Sequence, residues 1–491
     1  MLGHWRSHAE YQAFVSAKLA EIGRVAPFAV AEYRDEVSKL WILNLDPMKV
    51  LVAPLYSPVG RPSELQPEIF RSLSLMVDLG YSPDEWVFRK LPANPVLQAI
   101  CGFSGKLPGI ASYYDFIRRL IKIDEKPRLK RKKRKPRKKL GKGQKIQPKR
   151  SGIVQKLVDK ILAGKRFNHR PERILQEIFA RVAVAPSVDL GLVPYTVSIS
   201  GDGTCVKTGA SPFGRKICDC KDFKCDCNRR FSDPNASWGW DSLKEQYFFG
   251  YTGYFISTYN KAEKLDLPLY LRLVDAKRFD GVTAVVALAE FRDLYPNLKI
   301  DTFISDSASD NNATYKLLDA WGINAVITLA HTKSGNFKHL PALTIDESGV
   351  PVCPGGNKMV FNGFCHTRSR FKWRCPKVCD KLCEKCVRCS PSAYGRVIYT
   401  KPEWDLRLFT KIPRGTERWK LKMNERTAAE RVNNRILNHY GLENSRARGK
   451  ARISFFATIA ALNVHLDAQL AKLKALGKFD FANVVSLPQS A

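Results

Sequence analysis

The sequence predicts an α/β fold: a core of mixed strands and helices carrying a cysteine-rich insertion, preceded by a mainly helical N-terminal domain. Three observations support this expectation. Apolar residues in the first 120 positions recur at helical spacing. The stretch from Tyr195 to Ala330 opens with three runs rich in β-branched and aromatic residues, then alternates helical and strand-like patterns. Twelve of the thirteen cysteines crowd between Cys205 and Cys389.

Composition bounds the partner. The 491 residues exceed one average domain, so about two to four units with substantial cores are expected, and a hydrophobic share of 44% is ordinary for a folded chain. Lys and Arg number 81 against 47 Asp and Glu, a formal charge of +34, which calls for a polyanionic partner. Nucleic acid is expected in preference to an anionic membrane surface. The opening residues MLGHWRSHAEYQ hold no apolar run of signal-peptide length, and the longest uncharged apolar stretch, Ile453 to Leu466, is shorter than the roughly 20 residues of a spanning helix. The expectation is an intracellular protein, cytoplasmic and nucleoid-associated, with no membrane partner. An odd cysteine count in that setting points to metal-bound thiolates, with zinc the default ion.

Residues 1–125 read as a helical domain for DNA binding or dimerisation, in which Ser112 is the expected cap of a helix carrying Tyr113, Phe116, Ile117 and Leu120. Residues 126–151 read as a basic linker: Lys126 to Arg150 hold 15 Lys or Arg among 25 residues and no acid. Such a block cannot bury a core, and Lys130, Arg131, Lys132, Lys133, Arg134 and Lys135 are its candidate phosphate contacts. A helical bridge at 152–190 carries amphipathic helices around Ile153 to Leu162 and Pro171 to Val182, with Pro171 at the first helical position of the second.

The core's first part spans 191–330, with a small cysteine insertion at 205–230. It reads as strands YTVSIS, EQYFFGYTGYFISTYN and LPLYLRLVDA, helix VTAVVALAEFRDLY, strand KIDTFIS, helix NNATYKLLDAWG capped by Gly322, and strand NAVITLA. Three strands, helix, strand, helix, strand is the order of a ribonuclease-H-like fold. The cysteine-rich insertion at 331–402 follows. The segment 403–491 returns to the core, with a helical pattern from about Asn424 and the apolar helix ARISFFATIAALNVHLDAQLAKL closing it.

Asp202 follows the first of these strands, Asp306 follows the fourth, and Glu430 lies in RTAAERVNNRILNHYGLE, which reads as helix. Three carboxylates displayed this way could hold two divalent metal ions for phosphodiester chemistry. Each has a plainer alternative: Gly201, Asp202 and Gly203 make a good turn, Asp306 suits a helix cap, and Glu430 stands four residues from Arg426. Their common feature is that one fold would converge all three. At 100° per residue, Arg426, Asn433, Asn434 and Leu437 share the face of Glu430, while Ala428, Val432 and Ile436 form another stripe.

With these residues in place, the chain resembles the DDE transposases of bacterial insertion sequences, in the subgroup with a Tyr, Arg, Glu, Lys pattern around the third acid. ISDSASDNNATYKLLDAWGINAVITLA is similar to the segment around the second acid, and WGWDSLKEQYFFGYTGYFISTYN and LPLYLRLVDAKRFDG look like the strands between the first two. RTAAERVNNRILNHYGLENSRARG looks like the third-acid helix, and NPVLQAICGFSGKLPGIASYYDFIRRL resembles the N-terminal region. The resemblance spans roughly residues 90 to 470. It departs at Met423, where Tyr is expected, and at Leu437, where Lys is expected, leaving Arg431 or Arg435 as substitutes.

The resemblance implies a ribonuclease-H-like core with Asp202, Asp306 and Glu430 catalytic, holding two Mg²⁺ (or Mn²⁺) ions per active site. It implies hydrolysis at transposon terminal inverted repeats, a freed 3′ hydroxyl that attacks target DNA, action as a homodimer on DNA, and DNA contacts from Arg426, Arg431 and Arg435. Two other readings share these residues: a DNA-binding protein with an inactive core, and a structure-selective nuclease that cuts without joining.

The cysteines form two groups. CDCKDFKCDC presents Cys218, Cys220, Cys225 and Cys227; further on, Cys375, Cys379, Cys383, Cys386 and Cys389 are spaced by 4, 4, 3 and 3, with Cys353, Cys365 and His366 upstream. Both spacings suit structural zinc. Both insertions read as too small and polar to fold on burial alone, so zinc is expected as a staple.

Overall fold

The first core strand, β1 (Thr196–Lys207), runs through Gly201, Asp202 and Gly203 without turning. The two glycines relieve crowding, as the site below shows. In the computed structural model, which describes residues 1–122, 152–222, 225–242, 244–330, 335–336, 340–341, 343–376, 390, 392 and 395–485, β1 is the middle of a six-stranded mixed sheet. Lys130 to Lys135 and Cys379, Cys383, Cys386 and Cys389 lie outside the described residues.

After β1 a short hairpin, β2 (Arg215–Lys216) and β3 (Arg229–Arg230), leads to β4 (Ser237–Asp241), β5 (Gln246–Asn260) and β6 (Leu265–Asp275). β1 pairs antiparallel with β5, whose outer edge takes β4 and then β6 in succession. On its other side β1 pairs parallel with β7 (Lys299–Ser305), which pairs parallel with β8 (Asn324–Ile327). The parallel steps need crossovers, supplied by the helices Asp280–Leu294 and Asn312–Ala320. From Tyr251 to Thr258 every residue of β5 is buried, because helices cover both faces of the sheet.

Several expected boundaries move. Cys205 belongs to β1, so the small cysteine insertion starts later than 205. Trp321 ends the helix Asn312–Ala320, and Gly322, at φ +70°, makes the left-handed step beyond it. The helix carrying Tyr113, Phe116, Ile117 and Leu120 buries those four side chains but starts at Ile110 after Gly109, so Ser112 sits inside its first turn and does not cap it. Pro171 is not helical either: the amide of Arg173 bonds back to the Arg170 carbonyl, and the helix Arg173–Phe179 begins past that turn, with Glu172 at the N-cap position but no side-chain cap. The third-acid region turns helical at Glu417, ahead of Asn424.

The N-terminal helices and the sheet share one hydrophobic core, built around Lys450–Ala475. Phe455 on that helix meets Phe70 and Phe116 edge-on at 6.2 and 6.3 Å. Asn463 exchanges hydrogen bonds with Ser74 at 2.8 and 3.0 Å, and Lys39 pairs with Asp467 at 2.7 Å. By length and composition this helix could cross a membrane, alone among the described residues, yet 94% of its most apolar window is buried in the fold.

The 331–402 insertion departs from the expectation that it is too polar to fold by burial. Among its described residues Leu343, Ile345, Val350, Cys353, Met359, Phe371 and Trp373 form a separate core with Leu408 and Phe409. The strands Val360–Cys365, Arg370–Arg374 and Val397–Thr400 pair over it.

Candidate active site and cysteine loop

The strand register brings the first two acids level. Ser200 of β1 partners Ile304 of β7 in the parallel ladder, so two residues further on Asp202 stands beside Asp306, just past the end of β7. Asp306 does cap, as its plainer reading had it, but it caps a single turn: its carboxylate accepts from the Ala308 amide at 3.0 Å. The following helix takes its cap from Asn311.

Glu430 lies on the helix Thr427–Asn434, which packs over β1, β5 and β6 through Ala428, Ala429 and Val432. Arg426 donates to Glu430 at 2.6 Å, and Glu430 remains half exposed. Asn433, buried on the same helix, donates through Nδ2 to Asp202 Oδ2 at 3.0 Å, and its own Oδ1 is buried without a partner among the described residues.

A fourth acid joins this group. Asp280 opens the helix Asp280–Leu294, and a Cβ placed on Gly203 would lie 2.7 Å from both of its carboxylate oxygens. A Cβ on Gly201 would overlap the hydroxyl of Tyr254, which is 1% exposed and has no hydrogen-bond partner among the described residues. Glycine on either side of Asp202 is therefore a condition for this packing. Burial, then the charges of Asp306 and Glu430, pushes the Asp202 carboxyl up to about 6 against the pull of Arg426. Burial and the charges of Asp202 and Asp306 likewise push Asp280 up to about 6. The Tyr254 hydroxyl is driven well above its ordinary range, chiefly by burial, and stays neutral.

Sequence reasoning missed Asp280, Tyr254 and the bond made by Asn433. An acid at a helix start after a strand, as in KRFDG, is common for dipole reasons alone and carries no distinguishing signal. The three candidate DNA-contacting arginines all stand near acids: Arg426 on Glu430, Arg431 on Asp266 at 2.5 and 2.8 Å, and Arg435 at 3.6 Å from Asp467.

Among the described residues, the one set of three or more His, Cys, Asp or Glu ligand atoms within 4.8 Å of one another is Cys218, Cys220, Cys225 and Cys227. Asp202, Asp306 and Glu430 are spread more widely than that. The Cys218 and Cys225 sulfurs stand 3.6 Å apart and those of Cys220 and Cys227 3.5 Å apart, too far for disulfides. Tetrahedral zinc with bonds of about 2.3 Å separates its sulfurs by about 3.7 Å, so this loop could hold a metal such as zinc. The β2–β3 hairpin closes its base, and the Lys216 ammonium donates to the carbonyls of Cys220 and Asp222. Cys353 is buried in the insertion's small core, and Cys365 and Cys375 do not join it as a ligand set among the described residues.

No protein-family model matches the chain, and no curated protein matches it in sequence.

Proposed function

We propose that the chain is a DNA transposase of the DDE type, which binds terminal inverted repeats, cleaves them by metal-dependent hydrolysis and joins the 3′ hydroxyl ends to target DNA. The single observation that carries the reading is the level placement of Asp202, on β1, and Asp306, just past the end of the adjacent parallel β7, with the helix of Glu430 bonded to Asp202 through Asn433. The sheet order β6, β5, β1, β7, β8, with β5 alone antiparallel to its neighbours, supports a ribonuclease-H-like core.

All the proposed donors are oxygens, the hard ligands that Mg²⁺ or Mn²⁺ prefer. The partnerless Tyr254 hydroxyl is a spare buried donor of the kind that orients a ligating carboxylate. Asp202, Asp306 and Glu430 would hold two ions, which when bound activate the attacking water or hydroxyl and stabilise the leaving oxygen. Asn433 fixes the orientation of Asp202, and Arg426 holds Glu430 until ions and DNA compete for it. The surplus of cations over the whole chain suits a DNA partner.

Asp202→Asn, Asp306→Asn and Glu430→Gln are each expected to abolish Mg²⁺-dependent cleavage of end DNA while leaving DNA binding nearly intact. Near-normal cleavage by any one of them removes that acid from the assignment. Cleavage by the wild type without joining to a target duplex identifies a nuclease.

A further inference from the structure

The end of the sheet opposite the acids opens into a cleft of about 890 Å³, beside the first residues of β7 and just ahead of β8. The loop after the helix Ile153–Leu162, the helix Arg173–Phe179 and the C-terminal end of the helix Asp280–Leu294 enclose it. Six cations line it, Lys165, Arg166, Arg170, Arg173, Arg292 and Lys299, against two acids, Glu290 and Asp293. Both acids are already engaged: Glu290 takes Arg170 at 3.3 Å and Arg272 at 2.9 Å, and Asp293 takes Arg173 at 3.3 Å. Lys165, Arg166 and Lys299 are exposed and have no acidic partner among the described residues. The Arg292 guanidinium stands over the Trp321 ring, its carbon 4.2 Å from the centroid, and likewise meets no acid among the described residues. A surplus of positive charge gathered in one concavity calls for an anion. The segment from Lys126 to Arg150 cannot supply it, since it contains no acid.

The cations continue beyond the cleft. Lys156 and Lys160, four residues apart on the helix Ile153–Leu162, are exposed, while Val154, Leu157, Val158 and Ile161 pack against Val285, Ala313 and Leu317. This helix, about 15 Å long, therefore carries positive charge outward between the basic tract, which ends at Arg150, and Lys165 at the cleft. A row of charge of that length suits a chain of phosphates, spaced about 3.4 Å along each DNA strand, better than one small anion. We propose that the cleft and the helix leading to it bind the sugar-phosphate backbone of duplex DNA at a place separate from the acids. This rests on the reading that the chain acts on DNA. β7 spans seven residues, so the cleft at its start lies roughly 20 Å from Asp306 past its end. At about 3.4 Å per base pair, the phosphates held here are about six pairs or more from the one that is cut, and their role is to position the duplex without reading its sequence.

The test uses the full chain and a labelled duplex of random sequence, with affinity measured over a range of KCl concentrations. Replacing Lys165, Arg166 and Lys299 together by Ala is expected to flatten the slope of log affinity against log salt by about two to three units, since each lost phosphate contact removes about 0.9. The three side chains are exposed, so the melting temperature should stay at the wild-type value. Lys18, Lys401 and Lys411, each paired with an acid, form the control: replacing them by Ala removes the same charge and should leave the slope nearly unchanged. A wild-type slope in the Lys165, Arg166 and Lys299 variant overturns the proposal, as does equal flattening in the control. Binding of free tripolyphosphate that this variant loses while its DNA slope stays unchanged identifies a site for a small polyphosphate and overturns it too. The readout is binding alone. An unchanged slope beside intact cleavage of end DNA leaves the transposase reading standing, and a flattened slope in a protein that cleaves no end DNA supports the cleft and overturns that reading.

Discussion

Asn433 donates to Asp202 at 3.0 Å, joining the helix that bears Glu430 to the strand that bears the first acid. Partners of ligating carboxylates typically contribute ten- to a hundredfold to metal affinity or activity. Asn433→Leu, similar in volume but without a donor, is expected to lower the cleavage rate of end DNA by about that factor while DNA binding changes little. A wild-type rate would reduce Asn433 to a packing residue.

A second expectation concerns pH in chelator. Asp202 and Asp280 both have folded pKa values near 6, above the ordinary 3.8, so the folded state holds their protons more tightly than the unfolded state does. The stability they contribute is therefore present at low pH and lost as pH rises from about 4 through about 6. Asp280→Asn should be more stable than the wild type at pH 7.5 by roughly 1–3 kcal/mol, and the gap should close towards pH 4. Comparing variant with wild type cancels His465, buried between Ser187 and the Pro268 carbonyl with its pKa lowered to about 4, which costs stability as pH falls from 6.5. Thermal melts at the two pH values decide it: a gap of equal size at both rules out the shared cause.

The cysteine loop predicts a metal count. Protein purified without chelator should carry at least one zinc by elemental analysis, and replacing Cys218, Cys220, Cys225 and Cys227 together by Ser should remove one equivalent. Absence of zinc from the wild type would leave four reduced thiols and no staple.

The basic tract predicts a salt dependence. Lys130 to Lys139 hold nine Lys or Arg. Each neutralised phosphate adds about 0.9 to the slope of log affinity against log salt, so a Gly and Ser replacement should flatten that slope by several units. End DNA and random DNA should weaken alike, since phosphate contacts position without specifying sequence. Loss of end preference with an unchanged slope would make the tract a sequence reader.

The core's elements were legible because their periodicity changes sharply, from the β-branched and aromatic runs of β5 and β6 to the helical spacing of Val282 to Leu294. That Asp202 and Asp306 would stand side by side was legible from their places in that order. Asp280 was not, because its place beside β1 depends on Gly203, in another element, leaving room for it, and periodicity carries no information about such contacts. The insertion's core escaped notice for a related reason: Leu343, Val350, Phe371 and Trp373 stand singly among cysteines and lysines, and Leu408 and Phe409 come from beyond it. The N-terminal helices read as a domain because the basic tract separates them from the rest, although their buried faces belong to the common core.

The helix Lys450–Ala475 also sets an order of assembly. Ser74 and Asn463 are 389 residues apart, and Ser16 reaches the carbonyl of Val484 across 468. On the ribosome the first 120 residues emerge long before the helix that covers their apolar faces, and long-range contacts of this kind form slowly. Until that helix is made, those faces are open to chaperones. Under the function proposed above, the set Asp202, Asp306 and Glu430 is complete only once the chain has been made past Glu430, so cutting would come late in synthesis.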